Sequence, residues 1–198
     1  MNETHFHRRN LPHLYRANST YFITYRLYGS IPKSKIAELR YKHYFYKPAT
    51  SKTERYNQEK QFLKEYDELL HNNKRINYLS NIKIAEIVKA SLHYYDTKDI
   101  KLICYTIMPN HVHMLFHSLE TSRTINRIMH SIKGYSALEA NKILHRDGHF
   151  WQAESYDHLV RDEDELYKII GYILMNPVKA KLIKDWRDWK YSYLCEEL

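Results

Sequence analysis

The chain has 198 residues, 43% of them hydrophobic, which suffices for one domain or for one domain with an inserted subdomain, and no apolar run approaches the roughly 20 residues of a membrane span. Its 31 Lys and Arg against 23 Asp and Glu give a formal net charge of +8, which favours nucleic acid or another polyanion as partner, although a merely soluble basic protein has the same balance. Cys104 is predicted to be a buried thiol, and it and Cys195 match no metal or redox spacing. Nothing in the sequence suggests a disulfide-dependent secreted domain, and because the N-terminus has no apolar signal core, a cytoplasmic protein is predicted.

The first half of the chain is predicted to contain one strand and three helices. Residues 19–28 are rich in aromatic and β-branched side chains, which favours a strand. Helices are predicted at 34–46, 53–70 and 82–95 from their apolar periodicity. The charged segment at about 41–75 is interpreted as a helical insertion, which either contacts DNA or is merely solvated.

The centre of the chain has the pattern of a β-hairpin followed by a long helix. Strands are predicted at 100–108 and 111–118, joined by a tight turn at 109–110. A helix is predicted over 121–144, with its apolar residues on one side. Residues 150–160 are predicted to be irregular or strand-like.

One more helix is predicted near the C-terminus. Asp162 is a good N-cap, and Glu165 three residues later completes a pair that resembles a capping box. Pro177 ends the helix, because the residue before a proline disfavours the helical conformation. Asn176 is therefore expected at the last turn.

The pair His111 and His113 is the first candidate for chemistry. At positions i and i+2 of a strand, both rings lie on one face, while Val112, Met114 and Phe116 lie on the other. Such a pair can hold a metal ion at the edge of a core. However, a chain with 13 histidines in 198 residues contains about one such pair by chance, so an exposed strand face that carries histidines is an equal interpretation of the spacing.

Tyr172 and Asn176 form a second candidate pair. They are four residues apart on the last predicted helix, so they lie on one face of it. This spacing also has an ordinary structural explanation, in which Tyr172 packs at the edge of the core and Asn176 caps the helix end.

Four segments, in this order, resemble the motifs of single-tyrosine HUH transposases, where U is a hydrophobic residue, and in particular of the REP-associated tyrosine transposase branch. They are MPNHVHML at 108–115, FWQAESYDH at 150–158, RDEDEL at 161–166 and YILMNPVKA at 172–180. Residues 11–13 with 20–24, and 84–88, also resemble the opening and the central helix of that family, so the resemblance covers nearly the whole chain. Lys181 departs from the pattern, because the family usually has Gly there, and the departure concerns the local turn rather than the chemistry.

The resemblance implies a fold and a set of roles. The implied fold is α+β, the ferredoxin-like HUH endonuclease fold, in a single domain over 1–198: a small antiparallel sheet flanked by helices, with the histidines on a central strand and helices on one face. His111, His113 and Asn176 would be metal ligands, with Mg²⁺ or Mn²⁺ as the ion. Tyr172 would be the nucleophile.

The implied function is that of a metal-dependent endonuclease and strand transferase in DNA transposition and recombination. It would act on single-stranded, hairpin or palindromic DNA through a 5′-phosphotyrosine intermediate, as a monomer or as a homodimer. Two alternatives stay open: a host-retained protein that binds structured DNA with weak or lost cleavage, and a metal hydrolase that uses water.

The basic charge and the 19 tyrosines suit a DNA ligand, which offers phosphates and splayed bases. Lys133 is the first choice for a DNA contact, and His117 is expected to be a neighbour of the metal site rather than a ligand. The other predicted DNA contacts are Arg123, Arg127, Arg146, Lys179 and Lys181, with Trp151 and Tyr156 as stacking partners. About half of the basic residues in this set are expected to be simply solvated.

Overall fold

The computed structural model describes residues 5–8, 12–46, 48–120 and 123–196. Five of the strands form one antiparallel sheet in the order β6-β3-β5-β4-β7, and the other two, β1 and β2, form a separate antiparallel pair. The described strands are β1 (His5–Arg8), β2 (Pro12–Tyr15), β3 (Thr20–Arg26), β4 (Ile100–Ile107), β5 (His111–Ser118), β6 (Tyr156–Leu159) and β7 (Ser192–Leu194).

The helices are α1 (Lys33–Arg40), α2 (Lys52–Asn72), α3 (Ile82–His93), α4 (Ile125–Ile143), α5 (Glu163–Leu174) and the short α6 (Asn176–Lys179). Together with the sheet they confirm the predicted α+β class. The helix predicted at 34–46 changes at its end, where a π-helical turn spans Tyr41–Phe45. The tail contains a short 3₁₀ turn at Trp186–Asp188 before β7.

An N-cap hydrogen bond and a proline set the limits of the last two helices. The side chain of Asp162 accepts a hydrogen bond from the Glu165 backbone N–H at 2.8 Å, which confirms the predicted N-cap. α5 ends at Leu174, and Pro177 lies in the first turn of α6, where a proline costs no hydrogen bond. The chain therefore bends at Met175, and Asn176 lies directly beyond this bend.

Lys181 occupies the one turn for which the family pattern usually has glycine. Its φ of 57° lies in the left-handed region. The backbone N–H of Lys181 donates to the Val178 carbonyl at 2.9 Å, and that of Leu182 donates to the Pro177 carbonyl at 3.0 Å. These two hydrogen bonds form a Schellman motif, in which a glycine is favoured because it has no Cβ. The turn is therefore kept despite the substitution, with a lysine in a strained conformation.

Helices cover both faces of the sheet, which corrects the expectation that they lie on one face. α3 and α4 pack against the face that carries Val112, Met114 and Phe116. α2 and α5 pack against the other face, which carries Leu115. The reason is that both faces of the central strands are apolar enough to need cover, and Cys104, also on the second face, is fully buried as predicted.

α2 is part of the core rather than a merely solvated insertion. Its residues Phe62, Tyr66 and Leu70 are buried in the cluster that covers the Leu115 face. Most of its charged residues are exposed, whereas Asp67 is buried. None of the helices in the described part of the chain combines the length and apolarity that a membrane crossing requires.

Candidate active site

The two histidines of the central strand lie side by side beneath the helices. β5 pairs with β3 on one side and with β4 on the other, so His111 and His113 are held in the middle of the sheet. Both rings are fully buried, and their Nε2 atoms are 3.1 Å apart. The predicted placement of both rings on one face is confirmed.

Asn110, which the sequence analysis placed only in a turn, orients the first histidine. Its amide nitrogen donates to the carbonyl oxygens of Leu70 at 2.8 Å and of Asn73 at 3.0 Å. Its Oδ1 must therefore accept from Nδ1 of His111, at 2.7 Å. Because Nδ1 carries the hydrogen, the lone pair of His111 is on Nε2 and points into the site. On the second histidine, Nδ1 of His113 lies 2.7 Å from the hydroxyl of Thr24.

Tyr172 and Asn176 approach the histidines from above. The hydroxyl of Tyr172 donates to Oδ2 of Asp67, and the amide nitrogen of Asn176 donates to the same oxygen at 3.0 Å. The Tyr172 ring stands edge-on to the His113 ring, with 5.7 Å between the centroids. The amide oxygen of Asn176 lies 2.9 Å from Nε2 of His71. The structure thus brings the two candidate pairs of the sequence into one site.

Asp67 is the residue of this site that sequence reasoning missed. It belongs to α2, and its Oδ2 lies 3.3 Å from Nε2 of His113. The side chain is buried, and among the described residues its Oδ1 has no hydrogen-bond partner. The one available signal was weak: Asp67 lies four residues after Leu63 and three before Leu70, so it falls within the apolar stripe of an otherwise charged helix.

The charges of the site are strongly coupled. Burial alone would raise the pKa of Asp67, but the His113 and His111 rings and the Tyr172 hydroxyl outweigh it and hold that pKa well below its usual range. Burial, and after it the charge of Asp67, raise the pKa of Tyr172 well above its usual value. Burial and the neighbouring His113 lower the pKa of His111. At neutral pH the site therefore contains a carboxylate, a protonated phenol and a neutral His111.

This donor set fits a divalent cation. One ligand atom each from Asp67, His111 and His113 lie within 4.8 Å of one another, and all three residues are buried. Oδ1 of Asp67 is a buried acceptor without a donor among the described residues, and a bound cation would satisfy it. Imidazole nitrogens together with a carboxylate oxygen suit a divalent metal ion.

A cleft of about 720 Å³ between α2 and α5 leads to Tyr172 and Asn176. Four lysines line it: Lys60, Lys64, Lys168 and Lys179. Only Lys179 was among the predicted DNA contacts. Of the predicted contacts, Tyr156 and Lys179 are in this cleft, and the amino group of Lys179 lies 4.6 Å from the centroid of the Tyr172 ring. Four acidic residues, Glu59, Asp67, Glu68 and Glu165, line the same cleft, so it combines charges of both signs with access to the predicted nucleophile.

Lys133 and Trp151 have structural partners. The Lys133 amino group donates to the backbone carbonyls of Gln152 at 2.8 Å and of Ala153 at 2.9 Å, which fastens the segment before β6 to α4. Trp151 is 5% exposed, and its indole N–H donates to the Ser136 hydroxyl at 2.9 Å. In this structure its ring faces are occupied by core packing, so base stacking on Trp151 would require a rearrangement.

The remaining predicted DNA contacts lie outside the cleft. Arg123 pairs with Asp99 at 3.2 Å, and Arg146 donates to the backbone carbonyl of His149 at 3.1 Å. Arg127 and Lys181 are exposed. These contacts stay predictions, since their positions do not by themselves distinguish a DNA contact from a solvated charge.

The comparisons with known proteins show the family to which the chain belongs. Residues 60–176 match the sequence profile of the family described as Transposase IS200 like. The match spans more than half of the chain, which therefore belongs to the IS200-like transposases, a family of DNA-cleaving enzymes.

The chain is also similar to two proteins that are named as REP-associated tyrosine transposases. A Haemophilus influenzae protein named as a REP-associated tyrosine transposase is 27% identical over 124 residues, which cover 58% of this chain and 68% of the relative. The fold is similar to a solved structure of a REP-associated tyrosine transposase bound to a REP hairpin, with a TM-score of 0.56 and 16% identity over 97% of this chain and 82% of that chain. The resemblance seen in the sequence motifs is confirmed.

Proposed function

We propose that the protein is a metal-dependent endonuclease and strand transferase that acts on hairpin DNA with Tyr172 as nucleophile. The observation that carries the proposal is the contact between the Tyr172 hydroxyl and the Asp67 carboxylate, directly beside the buried pair His111 and His113. A nucleophile, the carboxylate that accepts its hydrogen bond and a set of cation ligands thus lie in one site at the end of a cleft that contains four lysines.

In the proposed reaction, Oη of Tyr172 attacks the scissile phosphorus. The bond between Oη and phosphorus forms, the bond between phosphorus and the 3′ oxygen breaks, and the 3′ oxygen leaves and takes up a proton from solvent. The hydrogen bond to Oδ2 of Asp67 holds Oη in place, and the hydroxyl proton is released to solvent as the new bond forms. The resulting 5′-phosphotyrosine conserves the energy of the phosphodiester, so a 3′-OH can rejoin the strand by the reverse step.

His111, His113 and Asn176 would hold the cation, Mg²⁺ or Mn²⁺. A divalent ion bound there would draw charge from the phosphate oxygens and so make the phosphorus easier to attack. Asn110 and Thr24 keep the histidine nitrogens turned toward that position. His111, His113 and Asp67 are buried, which strengthens the electrostatic interactions among them.

The proposed substrate is a hairpin with a single-stranded flank. In the solved structure with a similar fold the ligand is a REP hairpin, and we propose the same class of ligand for this chain. The lysines of the cleft would contact phosphates of the unpaired strand as it approaches Tyr172. Since Tyr172 meets the histidines of its own chain, we propose that the tyrosine acts in cis whatever the oligomeric state.

A cleavage assay tests the proposal. The protein is incubated with a labelled DNA hairpin and Mn²⁺ or Mg²⁺, and a covalent adduct is sought on a denaturing gel. The wild type is expected to form the adduct, whereas Tyr172→Phe and His111→Ala are expected to form none. Tyr167→Phe is the matched control, because Tyr167 is an exposed tyrosine on the same helix.

The other outcomes of the assay separate the alternatives. Cleavage that survives in Tyr172→Phe but not in His111→Ala would indicate a hydrolase that uses water. Hairpin binding without cleavage under either ion would indicate a DNA-binding protein. Either result contradicts Tyr172 as nucleophile.

A further inference from the structure

We infer that Asp67 is a further protein ligand of the divalent cation, supplied by α2, together with the histidine pair. The inference rests on the proposed function, because it concerns the same site. It assigns the long charged helix, which the sequence left without a role, to the catalytic centre.

The distances support shared coordination. Adjacent ligands of an octahedral Mg²⁺ or Mn²⁺ ion, each at about 2.1 Å from the metal, are separated by about 3 Å. Nε2 of His111 and Nε2 of His113 are 3.1 Å apart, and Nε2 of His113 is 3.3 Å from Oδ2 of Asp67. Three donor atoms from α2 and β5 thus already have the spacing of neighbouring ligands.

The burial of Asp67 is hard to explain by protein contacts alone. A buried carboxylate is costly unless its charge and both its oxygens are satisfied. Oδ2 accepts from Tyr172 and Asn176, but Oδ1 has no partner among the described residues. The groups in contact with the carboxylate are imidazoles, an amide and a phenol, and the Lys179 ammonium lies farther out, over the Tyr172 ring. A divalent cation would place positive charge directly against the carboxylate.

The chemistry of the ion also favours a carboxylate. Mg²⁺ and Mn²⁺ bind oxygen ligands in preference to nitrogen, and a site of two imidazoles and an amide carries no charge to hold them. Nδ2 of Asn176 donates to Asp67, and its Oδ1, which faces His71, keeps a second lone pair for an ion. A six-coordinate ion with two histidines, Asn176 and Asp67 as ligands would keep two positions for phosphate oxygens.

The helix that carries Asp67 is tied to the histidine strand. Asn110, next to His111, donates to the carbonyls of Leu70 and Asn73 at the end of α2. Asp67 lies three residues before Leu70, the nearer of these anchors, and so within one helical turn of it. The carboxylate is therefore positioned before any ion binds, which lowers the entropic cost of coordination.

The test measures Mn²⁺ affinity without DNA, by electron paramagnetic resonance of free Mn²⁺ and by the Mn²⁺-induced shift in Tm. Asp67→Asn keeps the shape of the side chain and is expected to weaken binding by at least about tenfold. Asp67→Glu keeps the charge and is expected to lose less. Glu65→Gln is the matched control, because it removes one negative charge from the same helix at a position that pairs with Lys42 at 2.8 Å.

The outcomes are separable from those of the cleavage assay. Wild-type affinity in Asp67→Asn, or no binding of Mn²⁺ by the wild type, would overturn the inference. Tyr172→Phe should keep its Mn²⁺ affinity, so a failure of the covalent adduct with intact, Asp67-dependent Mn²⁺ binding would contradict the nucleophile but not the ligand. Circular dichroism of each variant shows whether a loss of binding reflects a loss of fold.

Discussion

Replacement of Asn110 should disturb the histidine pair and the end of α2 together. The side chain is 3% exposed and makes three hydrogen bonds, two as a donor to Leu70 and Asn73 and one as an acceptor from His111. In Asn110→Ala, the carbonyl of Leu70 keeps a hydrogen bond from the Asn73 backbone N–H at 3.2 Å. The His111 Nδ1–H and the Asn73 carbonyl lose their partners.

The magnitude follows from these two groups. A buried polar group without a partner costs about 1–3 kcal/mol. The His111 ring is fully buried, whereas Asn73 is partly exposed and recovers some hydration. We therefore expect Asn110→Ala to lower the free energy of unfolding by about 2–4 kcal/mol. We also expect about a tenfold loss of Mn²⁺ affinity, because the His111 ring loses its orientation.

A second variant separates the two effects. Asn110→Asp keeps an oxygen that accepts from His111 but replaces the amide donor with an oxygen that faces two carbonyls. It should therefore lose stability while keeping Mn²⁺ affinity. Urea unfolding and Mn²⁺ titration measure the two quantities, with the exposed Asn126→Ala as control. If Asn110→Ala stays within about 0.5 kcal/mol of the wild type, the proposed role of Asn110 is refuted.

Three further results are expected. Lys181→Gly should raise the free energy of unfolding, measured by urea titration, by about 0.5–1 kcal/mol, because Lys181 has a φ of 57°. No gain in stability would contradict the argument that this conformation is strained. If the stabilised variant binds the hairpin more weakly, Lys181 contacts DNA. Ser136→Ala should destabilise the protein by about 1–3 kcal/mol, because the indole N–H of the buried Trp151 loses its acceptor, and an unchanged Tm would show that the indole finds another. Partial burial raises the pKa of Glu65, but the hydrogen bonds from Lys42 and Gln61 and the nearby His43 outweigh it and lower that pKa to about 2. The contribution of Glu65 to the free energy of unfolding is complete above the usual pKa of 4.5 and is lost as the pH falls toward 2. The free energy of unfolding of Glu65→Gln should therefore depend less on pH in that window than that of the wild type. Equal pH dependence in the two proteins would argue against the pairing.

Much of this protein follows from local patterns in its sequence. The alternation of β5 places His111 and His113 on one face, because side chains of a strand have a period of two. Asp162 starts α5 through a hydrogen bond to a residue three positions away, and the helical spacing puts Tyr172 and Asn176 on one side. Each of these features depends on residues that are close in the chain, and so the sequence determined them.

Only the tertiary structure decided which other residues reach the site. Asp67 meets Tyr172 across 105 positions of the chain, and no periodicity or cap links two residues so far apart. Local sequence also does not predict that His71 lies beside Asn176, or that the Trp151 indole is buried in the core. Helix α2 appeared to be a charged, solvated segment because its sequence is mostly polar. Its narrow apolar stripe needed the Leu115 face of the sheet as a partner, and that packing carries a buried carboxylate to the two histidines.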